Sequence, residues 1–197
     1  MAGKPSRYRG YHRKFGVIRD QSRIIISSAK EFILLTEAEW FACLDPDTMI
    51  RSLPIDKFQR EIRLFTAACV RRVWQLLPDG CRSAVDVSER FAKGNADETE
   101  LAMACTIAQQ EAQAIWSGGK SPDALAYATS AAVDASSAWR RTAANVLASI
   151  SCAASAAGCA AAETDESQYD QIYKDVRAAE LAAQAVLLRT FVPFALE

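Results

Sequence analysis

The chain is nearly without histidine. The one it has, His12, stands close to the start, whereas hydrolase triads need an imidazole held by a fold and oriented by a third group. Its cysteines, Cys43, Cys69, Cys81, Cys105, Cys152 and Cys159, are dispersed with no Cys-x-x-Cys pair, and zinc or iron centres need thiolates or imidazoles at close spacing. Glycine and proline are scarce, 8 and 6 residues in 197. Accordingly there is no glycine-rich phosphate loop, no dinucleotide fingerprint and no Glu-x-x-His pair. The carboxylate pairs Glu98/Glu100 and Asp165/Glu166 fall where helices are expected to begin, and the positive end of a helix dipole accounts for them without acid catalysis. No residue is assigned as catalytic, cofactor-binding or metal-ligating, and neither cofactor nor metal is expected. The start also lacks an apolar stretch followed by a small-residue cleavage site, and scattered thiols suit a reducing compartment, so the expected location is cytoplasmic.

What the chain does have is apolar mass at helical spacing. Half of its residues are hydrophobic, enough for a sizeable core, and good helix formers dominate. The expectation is all-α: a single domain over 36–197 of about seven helices around a central amphipathic helix, 55–77, with close-packed alanine-rich helices in the C-terminal half. In the central helix Phe58, Ile62, Phe65, Cys69, Val73 and Leu76 recur at steps of three and four, and Leu64, Ala68 and Leu77 widen the stripe. Lys57, Arg60, Glu61 and Arg71 fall on the opposite, solvated side.

Local signals place the other helices. Thr36-Glu37-Ala38-Glu39 spells a capping box ahead of a short helix to Cys43, and Asp45-Pro46 opens a second, to Ser52, by a cap followed by proline at the first helical position. Trp40, Phe41, Met49, Ile50 and Leu53 supply the apolar faces of this pair. Asp56 is expected to cap the central helix and Pro78-Asp79-Gly80 to end it. A fourth helix, 81–92, closes at Gly94; Asp97 caps a fifth, 98–116, striped by Leu101, Cys105, Ala108, Ala112 and Ile115. Ser117-Gly118-Gly119 breaks the chain and Ser121-Pro122 restarts it. Residues 142–162 carry no charge, and Arg140-Arg141 precede them, a pattern that membrane spans share. Only Val146, Leu147 and Ile150 are bulky there, so the segment reads as a buried helix whose small residues let neighbouring backbones approach. A last helix, capped by Asp165 or Ser167, runs to Arg189 with Tyr169, Ile172, Val176, Ala179, Ala183, Val186 and Leu187 as its stripe. Residues 191–194 then fold back or meet a partner.

Charge sets the first 35 residues apart. The net charge of -1 conceals seven basic residues against one aspartate over 1–23, so the remainder is acidic. Within this extension Arg7, Tyr8, Arg9, Tyr11, Arg13 and Lys14 interleave cations with rings, the mix that single-stranded nucleic-acid binders use; a disordered basic tail is the competing reading. Lys30-Glu31 can be encoded AAG-GAG, like a ribosome-binding sequence ahead of Leu34 or Leu35 as start codons, so 1–35 also reads as upstream sequence in an over-long gene model. In the body, Arg71, Arg72 and Trp74 form the one group that invites contact with a small anion or a protein tail. Its competing reading pairs Arg72 and Arg63 with Glu39, Asp86 or Glu89 while Trp74 covers the edge of the core.

Residues 36–94 resemble a family of uncharacterised bacterial proteins that open with TEAEW, continue with Asp-Pro and a short helix, and carry a helix of the form RLFACACCRRVW. Here that helix reads RLFTAACVRRVW, from Arg63 to Trp74. Ala84-Val85, Glu89-Arg90-Phe91-Ala92, Gly94 and an alanine-rich half ending near Leu187-Leu188-Arg189 are similar as well. The resemblance implies a helical fold and a natural start near Thr36; it implies no catalytic residue and no ligand. Ala67 and Val70 stand where relatives often place cysteines, leaving Cys69 alone of a three-thiol cluster. The expected function is that of a cytoplasmic, non-enzymatic helical domain that meets an unidentified protein partner and no membrane. Nucleic-acid binding through the arm is the first alternative, and an enzyme whose site only geometry reveals is the second.

Overall fold

Caps and periods read from the sequence organise most of the helices. The computed structural model describes residues 35–117, 123–137 and 141–194, all within one compact unit. Among them are eight α-helices and no strand: α1 (Glu37–Ala42), α2 (Pro46–Ser52), α3 (Gln59–Arg71), α4 (Asp79–Ala92), α5 (Glu98–Ser117), α6 (Asp123–Ser136), α7 (Ala143–Ala162) and α8 (Tyr169–Phe191). The all-α reading holds.

The capping box at Thr36 is formed, its hydroxyl accepting from the Glu39 amide while Glu39 reaches back to the Thr36 amide at 2.8 Å. Asp45 caps α2 with Pro46 at its first turn, and Asp97 accepts the Glu100 amide at 2.8 Å to start α5. Gly94 closes α4 at φ +77°, with Gly94 N–H bonded to the Phe91 carbonyl and Asn95 N–H to that of Arg90. A side chain with a Cβ rarely adopts that conformation, which is why glycine stands there. Thr142 and Asn145 make a second capping box, at α7.

The central helix differs from the expectation. Residues 55–77 are not one helix but a 3₁₀ turn (Ile55–Lys57), α3, and a second 3₁₀ turn (Trp74–Leu76). Phe58, not Asp56, is the cap residue of α3. At the far end Pro78 disfavours helical conformation in the residue before it, and Leu77 is extended, with ψ 138°. Pro78-Asp79-Gly80 therefore opens α4 rather than closing α3. The C-terminal half also contains one break more than the expected count, between α6 and α7. Gln168 is the cap of α8, and Asp165 instead accepts the Ser167 amide and hydroxyl just before it. The break at Gly118-Gly119 and the restart at Ser121-Pro122 lie outside the described residues.

Two apolar clusters share α3 and α7. In one, Ile62, Phe65 and Cys69 meet Trp40 of α1, Met49 and Ile50 of α2, Val146 and Ile150 of α7, and Leu188 of α8. In the other, Ala67 and Val70 meet Val85 of α4, Leu101 and Ala108 of α5, four alanines of α6, and Ala153 and Ala156 of α7. Thus α3 is buried on two sides, which a single stripe does not convey. Phe65 is wholly buried, while Phe41 is exposed, against the apolar face expected of it.

Small residues let α6, α7 and α8 pack closely. A Cβ on Gly158 would lie 3.0 Å from the Tyr173 carbonyl oxygen and 2.8 Å from its ring. By length and composition alone α7 is long and apolar enough to cross a bilayer, with mean hydropathy 1.4 over 18 residues; half of that window is buried by protein. Beyond α8, Val192 is buried and Phe194 lies 6.2 Å from the Trp40 ring, so this end folds back on α1.

Candidate functional site

The Arg-Trp group sits where α3 ends. Arg71, on the side expected to face solvent, stacks over Trp74 at 4.4 Å and donates to Glu89 at 2.6 and 3.0 Å and to Asp86 at 2.5 Å. These carboxylates hold its guanidinium above its ordinary range. Arg82 joins from α4, donating to the Trp74 carbonyl at 3.3 Å. Arg72 points the other way, to Glu180 of α8, with two bonds of 2.5 and 2.9 Å. The two neighbouring arginines thus serve opposite sides of α3, each facing carboxylate. Paired cations of this kind tie helices together.

Arg63 pairs with no acid among the described residues. It is buried, lies 5.0 Å over the Phe91 ring, and donates to Ser88 Oγ at 3.3 Å and to the Ser137 carbonyl at 2.9 Å. Arg141 is buried beside it and donates to the carbonyls of Asp134 and Ala135. Its own backbone is held by Gln59, which accepts its amide at 2.7 Å and donates to its carbonyl at 2.9 Å. Two guanidinium groups therefore close the C-terminal end of α6, where helical carbonyls lack partners and the dipole favours cations. Burial, then the neighbouring Arg63, pulls Arg141 down to about 9, which leaves it charged at neutral pH. Burial pushes the nearby Asp134 carboxyl up to about 6, against the pull of Arg141. The sequence signal for this clamp was slight: Arg140-Arg141 ahead of a charge-free run.

A third polar device joins α4 to α5. Glu111 accepts the Cys81 amide at 2.9 Å and the Gly80 amide at 3.3 Å, capping α4 from another helix. Gly80 permits this, since a Cβ there would fall 2.6 Å from the Glu111 carboxyl carbon.

Burial raises the thiols of Cys69, Cys81, Cys152 and Cys159, the opposite of what a nucleophilic cysteine needs. Among the described residues no group of three or more His, Cys, Asp or Glu comes together as a metal site. The arm residues Arg7, Tyr8, Arg9, Tyr11, Arg13 and Lys14 lie outside the described residues.

The surface feature that the charge pattern did not announce is the outer face of α5. Leu101, Ala104, Cys105, Ala108 and Ala112 bury its inner stripe. Outward, Met103 is 63% exposed and Ile107 49%. On the same helix the nearly flat patch of Thr106, Gln109, Gln110, Gln113, Ala114 and Ser117 continues this face. From Ala102 to Ser117 the one charged residue is Glu111, and it is turned away as the cap of α4. At the far end Trp116, 45% exposed, donates to Ser130 Oγ at 3.1 Å and meets Tyr127 edge-on.

Compared with protein-family models, with curated proteins and with solved structures, the chain matches none. The resemblance of 36–94 to the TEAEW proteins thus brings no activity, and function rests on the geometry.

Proposed function

We propose that this domain acts by protein contact, taking an amphipathic helix of a partner protein along the outer face of α5. The observation that carries this is a helix of 20 residues whose solvent side, past its first turn, displays Met103 and Ile107 amid uncharged amides and hydroxyls. Solvent faces of helices are ordinarily charged. A face without charge complements an uncharged surface, and two large side chains on an otherwise flat, uncharged helix face suit the grooves of another helix. The acidic balance of the body then works against loose association elsewhere, because like-charged surfaces repel.

A photo-crosslinking amino acid at Ile107, with one at exposed Val186 of α8 as control, tests this in the native host. The expected result is one discrete heterologous product from position 107 and none from 186. The captured protein, made recombinantly, should bind the domain with an affinity that Met103→Glu lowers at least about tenfold, the size of a modest interface hot spot. A product of twice the chain's own mass identifies the occupant as a second copy and overturns the heterologous reading. Equal products from both positions overturn the proposal altogether.

A further inference from the structure

The seam between α7 and α8 holds an excess of hydrogen-bond donors. On α7, Ser151 and Ser155 stand one turn apart, and on α8 so do Tyr173 and Arg177. Arg177 donates through Nε to Ser155 Oγ at 3.3 Å and through a terminal nitrogen to Ser151 Oγ at 3.1 Å. Tyr173 and Ser155 share a hydroxyl–hydroxyl bond of 3.3 Å. Among the described residues Arg177 is the one arginine whose hydrogen bonds all run to side-chain hydroxyls; the others reach at least one carboxylate or carbonyl.

Counting protons shows what is missing. A guanidinium has five N–H donors and no acceptor, and a hydroxyl has one donor and two lone pairs. Within the Ser155–Tyr173 pair one proton is used and one is left over, whichever way the bond points. The Ser151 hydroxyl accepts from Arg177, and among the described residues no protein group accepts its proton, which is left to face the solvent side of the seam. Other buried serines do have an acceptor: Ser149 of α7 donates to the Ala131 carbonyl at 3.0 Å and Ser136 of α6 to that of Ala132 at 2.8 Å. Ser155 is only 6% exposed, so water is largely kept from it, while Ser151, Tyr173 and Arg177 are half-buried and reachable. Among the described residues no acid pairs with the cation: α7 carries no charge, and Glu180, three residues on, is engaged by Arg72.

We propose that Ser151, Tyr173 and Arg177, with Ser155 holding the latter two in place from beneath, bind a phosphate group, free or as a small ester, at the open edge of this seam. Each phosphate oxygen is a strong acceptor, and the guanidinium fork supplies the charge and planar geometry that phosphate favours. The Ser151 hydroxyl can accept from Arg177 and donate to the anion at once, since it has two lone pairs and a proton of its own.

Inorganic phosphate is titrated into the full chain against chloride at equal ionic strength, with binding followed by calorimetry and by amide chemical shifts. Saturable binding is expected, with shifts centred on residues 151–155 and 173–177. Arg177→Gln should weaken it about tenfold to a hundredfold, the effect of removing a charged hydrogen-bond partner. Ser151→Ala, which suits a helix better than serine and so keeps the fold, should weaken it severalfold. Phenyl phosphate serves as the ester arm; binding at the same residues, tighter or weaker than phosphate, assigns the source. No saturable binding by the wild type, or undiminished binding by both variants, overturns the proposal.

Discussion

Asp134→Asn should make the protein more stable at pH 7.5, although it removes the acid nearest a buried arginine. Asp134 lies on α6, its own carbonyl one of those that Arg141 clamps, and burial lifts its carboxyl from 3.8 to about 6. Desolvation therefore outweighs the attraction of Arg141. A raised carboxyl holds its proton more tightly in the folded than in the unfolded chain between about pH 4 and 6, so stability falls as pH rises through that window and the charged form is a cost above it. A rise of that size corresponds to roughly 3 kcal/mol; because the side chain is only partly buried, solvent screening reduces this to about 1 to 2 kcal/mol. Asparagine keeps the shape without the charge. Urea denaturation at pH 7.5 should show a gain of that order for the variant, and at pH 4 the two proteins should match. A loss at pH 7.5 would mean that the carboxylate stabilises Arg141 by more than its burial costs, refuting the reasoning.

Other perturbations read the packing. Phe65→Ala, at a fully buried site, should cost about 3 to 5 kcal/mol, whereas Arg71→Ala, half in solvent, should cost about 1 to 2 kcal/mol from its exposed ion pairs and its ring contact together; the reverse order in chemical denaturation would show that the end of α3, not its middle, holds the fold. Gly158→Ala should cost about 1 to 3 kcal/mol by overpacking, because the Tyr173 carbonyl it meets belongs to a helix backbone that cannot turn aside; an unchanged melting temperature would mean that α7 and α8 are less tightly joined than the geometry requires.

Helix starts were legible in the sequence at Thr36, Asp45 and Asp97, where the cap and its target amide lie within three residues of one another; Thr142, which caps the Asn145 amide in the same way, was not read. The α5 stripe was equally legible, since its buried positions are set by the period of one helix. What the tertiary structure decided are choices between faces and between partners. The α8 stripe was expected on Ala179, Val186 and Leu187, yet Ala179 and Val186 are exposed while Glu180 and Gln184 are buried. Glu180 goes inside because Arg72, 108 residues earlier, meets it there. Pairing Arg72 with Glu39, Asp86 or Glu89 was as reasonable from sequence, and Arg71 took two of those acids instead. Likewise Glu111 caps a helix that starts about thirty residues before it, and Arg141 and Arg63 meet at the end of α6 from different parts of the chain. Caps and periods act between residues a turn apart, so the chain itself specifies them; the partner of a buried charge depends on which backbones come together, and that is settled only when the small faces of α6, α7 and α8 have packed.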